Sequence, residues 1–67
     1  MFEISLMRLM VRTSRYRLAV YPDTTAVMYT TDPALAAAAR QDAEKIEDLD
    51  GLYVIKLKKE AVAKYLP

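Results

Sequence analysis

Between Arg15 and Tyr21 the chain alternates: Tyr16, Leu18 and Val20 fall on one side, and Arg15, Arg17, Ala19 and Tyr21 on the other. A period of two is that of a half-buried strand. Thr24 to Thr31, rich in Thr, Val and Tyr, reads as the next strand. Between them, Tyr21-Pro22-Asp23-Thr24 puts proline where a type I turn takes it, which predicts a hairpin. With Pro22 and Asp23 as a two-residue loop, Val20 opposes Thr25, Leu18 opposes Val27 and Tyr16 opposes Tyr29, and this side is the expected core. The reverse side then presents Arg15, Arg17, Tyr21, Met28 and Thr30.

Upstream, Phe2, Ile4 and Leu6 alternate with Glu3 and Ser5, after which Met7, Leu9 and Val11 continue on the opposite parity. A bulge near Leu6-Met7 accounts for the slip. The spacing also fits a helix with Ser5, Arg8 and Arg12 on its polar side; the strand is the reading taken for Phe2 to Arg12. Thr13-Ser14 then makes a tight connection into the alternating segment.

Downstream, Thr31-Asp32-Pro33 is a helix start. Asp32 is a side-chain cap for free N–H groups, and Pro33 suits the first helical position, which needs no N–H. The helix is expected from Pro33 to about Asp48, with Leu35, Ala39, Ala43 and Ile46 on one stripe and Ala36 to Ala39 close to the sheet. Asp50-Gly51, with the only glycine of the chain, ends it. Leu52 to Lys58 is a last strand with Tyr53, Ile55 and Leu57 on one side, and Ala61, Val62, Tyr65 and Leu66 have the spacing of a short terminal helix. The predicted fold class is α+β: a small antiparallel sheet in the order β-β-β-α-β with a short C-terminal helix, the main helix packed on one face, in a single domain over residues 1–67.

Length limits what such a fold can do alone. Sixty-seven residues hold one small core. With neither cysteine nor histidine there is no disulfide or zinc to staple it, so the core or a second copy must supply the stability. Homo-oligomerisation is therefore an open option. Glu3, Arg8 and Arg12 interrupt the apolar N-terminal run, no small-residue cleavage site follows it, and no stretch reaches the ~20 apolar residues a bilayer requires. A cytoplasmic protein without membrane contact is expected.

The same composition argues against catalysis. Histidine, the commonest general base, and cysteine, the strongest side-chain nucleophile, are both missing. Neither Ser5 nor Ser14 lies in a nucleophile motif, and one glycine cannot build a phosphate-cradling loop. Glu44, Glu47, Asp48 and Asp50 are dense in acid but lack the spacing of a calcium loop, so neither a metal nor a cofactor is expected. The reading is of a non-enzymatic binding module.

Formal charge sums to +1 but is segregated. Four arginines face Glu3 alone up to Pro22, seven acids face Arg40 and Lys45 from Asp23 to Gly51, and four lysines face Glu60 beyond. The candidate interaction face is basic and aromatic: Arg15, Arg17, Tyr21 and Met28, with Arg12 and Tyr53 at its margin. Tyr, Met and Arg are enriched at protein interfaces, which makes a protein partner the first expectation. Single-stranded nucleic acid is the alternative, since aromatics stack bases and cations meet phosphates, although ten basic against nine acidic residues is a weak basic footprint.

The string Val27-Met28-Tyr29-Thr30-Thr31-Asp32-Pro33-Ala34-Leu35, followed by a polar helix, a strand and the basic tail Ile55-Lys56-Leu57-Lys58-Lys59, resembles the layout of small uncharacterised proteins encoded by phages and prophages. That resemblance, over roughly Tyr16 to Leu66, implies a non-enzymatic accessory protein, for instance an inhibitor of a host protein of the anti-defence type. It assigns no functional residues.

Overall fold

The computed structural model describes residues 9–67. Five antiparallel strands form one sheet: β1 (Leu9–Arg12), β2 (Arg17–Val20), β3 (Ala26–Thr30), β4 (Ala43–Leu49) and β5 (Leu52–Leu57), in the spatial order β1-β2-β3-β5-β4. A short helix, α1 (Pro33–Ala39), runs into a 3-10 turn over Arg40–Asp42, and a 3-10 helix, Lys59–Tyr65, follows β5. The molecule is a small, mostly sheet α+β fold with its helical segments on one face. No helix among the described residues is long and apolar enough to cross a membrane.

The covered face holds the core. Leu18, Met28, Ile55 and Leu57 are its largest fully buried side chains. Leu35, Ala36 and Ala39 of α1 and Val62 of the terminal 3-10 helix close over them. Alanine at two of the three buried helix positions lets the backbone lie close to the sheet, as its sequence predicts.

The start of α1 is built as expected. Oδ1 of Asp32 accepts from the N–H groups of Ala34 and Leu35 at 2.9 and 3.3 Å, and Pro33 occupies the first helical turn. Its other oxygen, Oδ2, takes Nη2 and Nε of Arg15 at 2.9 and 3.2 Å. The buried Thr30 hydroxyl donates to the Arg15 carbonyl and accepts from the Asp32 N–H. One carboxylate and one hydroxyl thus join the β1–β2 turn to the helix.

Four expectations are corrected. The β2–β3 loop has three residues rather than two: the Tyr21 N–H donates to the Thr25 carbonyl, the Thr24 N–H to the Tyr21 carbonyl, and Thr24 has φ 69°. A type I turn followed by a left-handed residue is a standard three-residue hairpin loop. The extra residue shifts the register by one, so Leu18 opposes Met28 and Arg17 opposes Tyr29. Because side chains alternate, every residue of β3 changes face. Met28, expected on the open side, is 0% exposed in the core, while Val27 and Tyr29 turn outward.

The helix expected as far as Asp48 ends at Ala39, and Ala43–Leu49 is instead an edge strand. Asp50 (φ 56°) and Gly51 (φ 94°) link Leu49 to Leu52 as a two-residue hairpin loop rather than ending a helix. Both left-handed angles fit a type I′ turn, for which Asp-Gly is a favoured pair. The terminal helix is 3-10 in type, not α. Of the strand expected over Phe2 to Arg12, Leu9–Arg12 is present; the remainder, including the bulge at Leu6-Met7, lies outside the described residues.

Candidate functional site

Alternation from the observed register sets the composition of the second sheet face. Met10 and Arg12 come from β1, Arg17 and Ala19 from β2, Val27 and Tyr29 from β3, and Leu52, Val54 and Lys56 from β5. No helical element packs on this side among the described residues; both helical segments bury their apolar residues in the core cluster on the other. Met10 is 44% and Leu52 37% exposed, so large apolar side chains stand in solvent here.

The β1–β2 end of this face is concave. An open cleft of about 610 Å³ runs between the β1–β2 hairpin and the ends of β3 and β5, and Met10, Arg12, Arg17, Tyr29 and Leu52 are among its walls. Arg12 and Arg17 are directly opposed across the hairpin. Residues in that relation share a face with Cβ atoms about 5 Å apart, and like charges so placed repel. Among the described residues neither arginine lies within salt-bridge distance of a carboxylate. Arg15, at the rim, is engaged by Asp32.

Tyr29 lies deeper in this surface. Its burial, first, and the adjacent Tyr21 phenol, second, push its pKa above the ordinary tyrosine value. It therefore stays neutral throughout the physiological range.

Of the residues the sequence brought forward, Arg17 and Tyr21 lie on the open face, and Arg12 joins them. Arg15 is a structural link to the helix cap. Met28 is excluded by burial. Tyr53 sits on the covered side, packed against the core next to Ile55 and opposite Thr30, and is not part of this face. Tyr29, Val27, Leu52 and Val54 were not singled out. Tyr29 and Val27 would have been placed outward by a three-residue loop, whereas nothing in a strand beginning Leu-Tyr-Val-Ile marks Leu52 as a surface residue.

A second polar cluster secures the covered side. Asp42 accepts from Nζ of Lys64 at 3.0 and 3.1 Å and from the Tyr65 hydroxyl at 2.7 Å. These hydrogen bonds, Tyr65 foremost, hold the Asp42 pKa below its usual value. Partial burial, followed by the bond to Asp42, pushes Tyr65 up to about 12. Tyr65 also meets Tyr16 edge to face, and the Tyr16 hydroxyl donates to its carbonyl at 2.7 Å. Every group here has a partner, so the cluster is a clasp for the C-terminal segment rather than a reactive site.

The acidic group Glu44, Glu47, Asp48 and Asp50 belongs to β4 and its turn instead of a helix end. Asp48 accepts from the Gly51 N–H at 2.9 Å, and Lys45 and Lys56 lie within salt-bridge distance of Glu47 and Glu44. Charged side chains along an edge strand discourage pairing with other chains. Among the described residues no three acidic side chains gather as a metal would require. No protein-family model, no curated protein and no solved structure matches this chain.

Proposed function

We propose that this protein is a non-catalytic binding module that recognises a protein partner through the open face of its sheet. One observation carries the reading: among the described residues, a sheet face bearing Met10, Tyr29, Leu52 and two arginines with no carboxylate in salt-bridge distance has no helix over it. Exposed apolar surface edged with charge marks interaction sites, and tyrosine, methionine and arginine are the residue types enriched in them. A second copy of the chain is one such partner. Were the chain phage- or prophage-borne, as its layout implies, the partner would be a host protein held in an inhibited state.

Single-stranded nucleic acid is the second reading, favoured by the position of Arg12 and Arg17 beside the Tyr29 ring. Affinity capture from the cells that make the protein, with and without nuclease, separates the two. The protein reading expects a nuclease-resistant partner that the Tyr21→Ala, Arg17→Glu double variant fails to retain while keeping its melting temperature. Capture that vanishes with nuclease, or is indifferent to both substitutions, contradicts it.

A further inference from the structure

The cleft at the β1–β2 end is specific about what it would accept. Arg12 and Arg17 are forced together by the hairpin register, at a cost in repulsion, and no described carboxylate relieves it. Asp32, the acid bonded to Arg15 at the cleft rim, is taken by Arg15 and by the N–H groups of α1. Two guanidiniums rooted about 5 Å apart can grip a single carboxylate or phosphate from both sides. The anion alone does not decide between those ligands; the walls do. Met10 and Leu52 present aliphatic surface at 44% and 37% exposure, and Tyr29 is the one outward ring among the cleft walls. The Tyr16 ring is turned to the opposite face against Tyr65. Single strands are held by successive stacking platforms, whereas within the cleft the Tyr29 ring stands among aliphatic walls, its neighbour Tyr21 lying outside the cleft lining.

Resting on the reading of this face as a protein-recognition surface, we propose that the Arg12–Arg17 cleft binds an extended acidic peptide segment of the partner. An Asp or Glu side chain lies between the two guanidiniums, and an aliphatic side chain two residues away lies on Met10, Tyr29 and Leu52. The spacing of two follows from the strand period, which returns alternate side chains to one face about 6.7 Å apart. The arrangement also explains why the hairpin carries two opposed arginines: their repulsion is relieved on binding, and ligand charge is therefore read directly.

A displayed library of random 12-residue peptides, selected against the folded protein, tests the assignment. The enriched pool should be acidic with an aliphatic residue at the second position from an Asp or Glu. A synthetic peptide from it should lose at least tenfold in affinity when its acids become amides, and again on the Arg12→Thr, Arg17→Thr double variant. That variant should melt no lower than the parent, since threonine suits a strand and the repulsion is gone, so lost binding cannot be lost fold. An empty pool, or a neutral pool whose binding survives the arginine substitutions, overturns the acidic-peptide assignment. If such a neutral pool is still displaced by Leu52→Glu, protein recognition by the open face stands without it; if it is indifferent to Leu52→Glu as well, both fail. A 12-nucleotide oligo-dT that binds the parent more tightly than the best peptide overturns the assignment in favour of a phosphate ligand.

Discussion

The two faces of this sheet are made from the same five strands yet solve opposite problems. On one, the buried sheet residues form a core cluster with Leu35, Ala36 and Ala39 of α1 and Val62 of the terminal 3-10 helix, and Thr30, Tyr16 and Asp42 have defined partners: Thr30 with Arg15 and Asp32, Tyr16 with Tyr65, Asp42 with Lys64 and Tyr65. On the other, Met10 and Leu52 face solvent and Arg12 stands against Arg17 without a described counter-ion. Burial and satisfied hydrogen bonds are what stability requires. Unrelieved like charge lowers stability, and among the described residues the opposed arginines stand on the open face, beside the exposed Met10 and Leu52, which points to a separate role for that face.

The contrast is broken most sharply in the core. Leu18→Ala or Ile55→Ala removes a fully buried side chain and should cost about 2–5 kcal/mol. In a chain of 67 residues that is a large part of the total stability, and chemical denaturation should show a much lower midpoint or no cooperative transition. Leu52→Thr on the open face should shift stability by roughly 0.5 kcal/mol or less. Comparable losses at the two sites would mean that something covers the open face as well.

The loops give the next largest effects. Gly51 has φ 94° and open space where a Cβ would stand, so Gly51→Ala has only backbone strain against it, about 1–2 kcal/mol. Thr24 is β-branched at φ 69°, and Thr24→Gly should stabilise by about 1 kcal/mol with the hairpin register unchanged by NMR. A melting temperature that falls instead would mean that the contacts of the Thr24 side chain outweigh its strain.

Smaller effects come from titration of the clasp and the cap. Asp23, Asp32 and Asp42 have pKa values depressed below their usual 3.8, through hydrogen bonds from Thr25, Arg15 and Tyr65 respectively. Groups so depressed favour the folded state above pH 3.8, and their contribution is lost as pH falls below it. Tyr65 works in the other direction: its pKa is raised from 10 to about 12, so its contribution is complete below pH 10 and lost between pH 10 and about 12. Melting temperature against pH should be flat near neutrality and fall at both ends. Tyr65→Phe should flatten the alkaline fall, and an alkaline limb of undiminished size would place its origin elsewhere.

Legibility in the sequence followed local chemistry. Asp32-Pro33 marks the start of α1 because capping and a fixed φ act on neighbouring atoms, and the alternation of Arg17–Val20 and Tyr53–Leu57 is that of strands with one buried side. The register of β3 was hidden because it depends on one residue, Thr24, in a conformation that favours Gly or Asn. Ala43–Leu49 was hidden because its Glu, Lys and Ala residues favour helix. Pairing with β5 overrides that preference, and the Asp50-Gly51 loop that signals the hairpin also serves as a helix stop. On the open face, Arg17 and Tyr21 were readable from the alternation of Arg15 to Tyr21 alone, whereas Tyr29 required the β3 register.

The division of labour between the faces is tested most directly by photo-crosslinking in the cells that make the protein. Benzoylphenylalanine is placed at Leu52 on the open face or at Ala63, exposed on the terminal 3-10 helix of the covered side. A discrete protein adduct is expected from position 52 and none from position 63, with the adduct's mass distinguishing a second copy from another protein. Adducts from position 63 alone, or equal adducts from both, would contradict it.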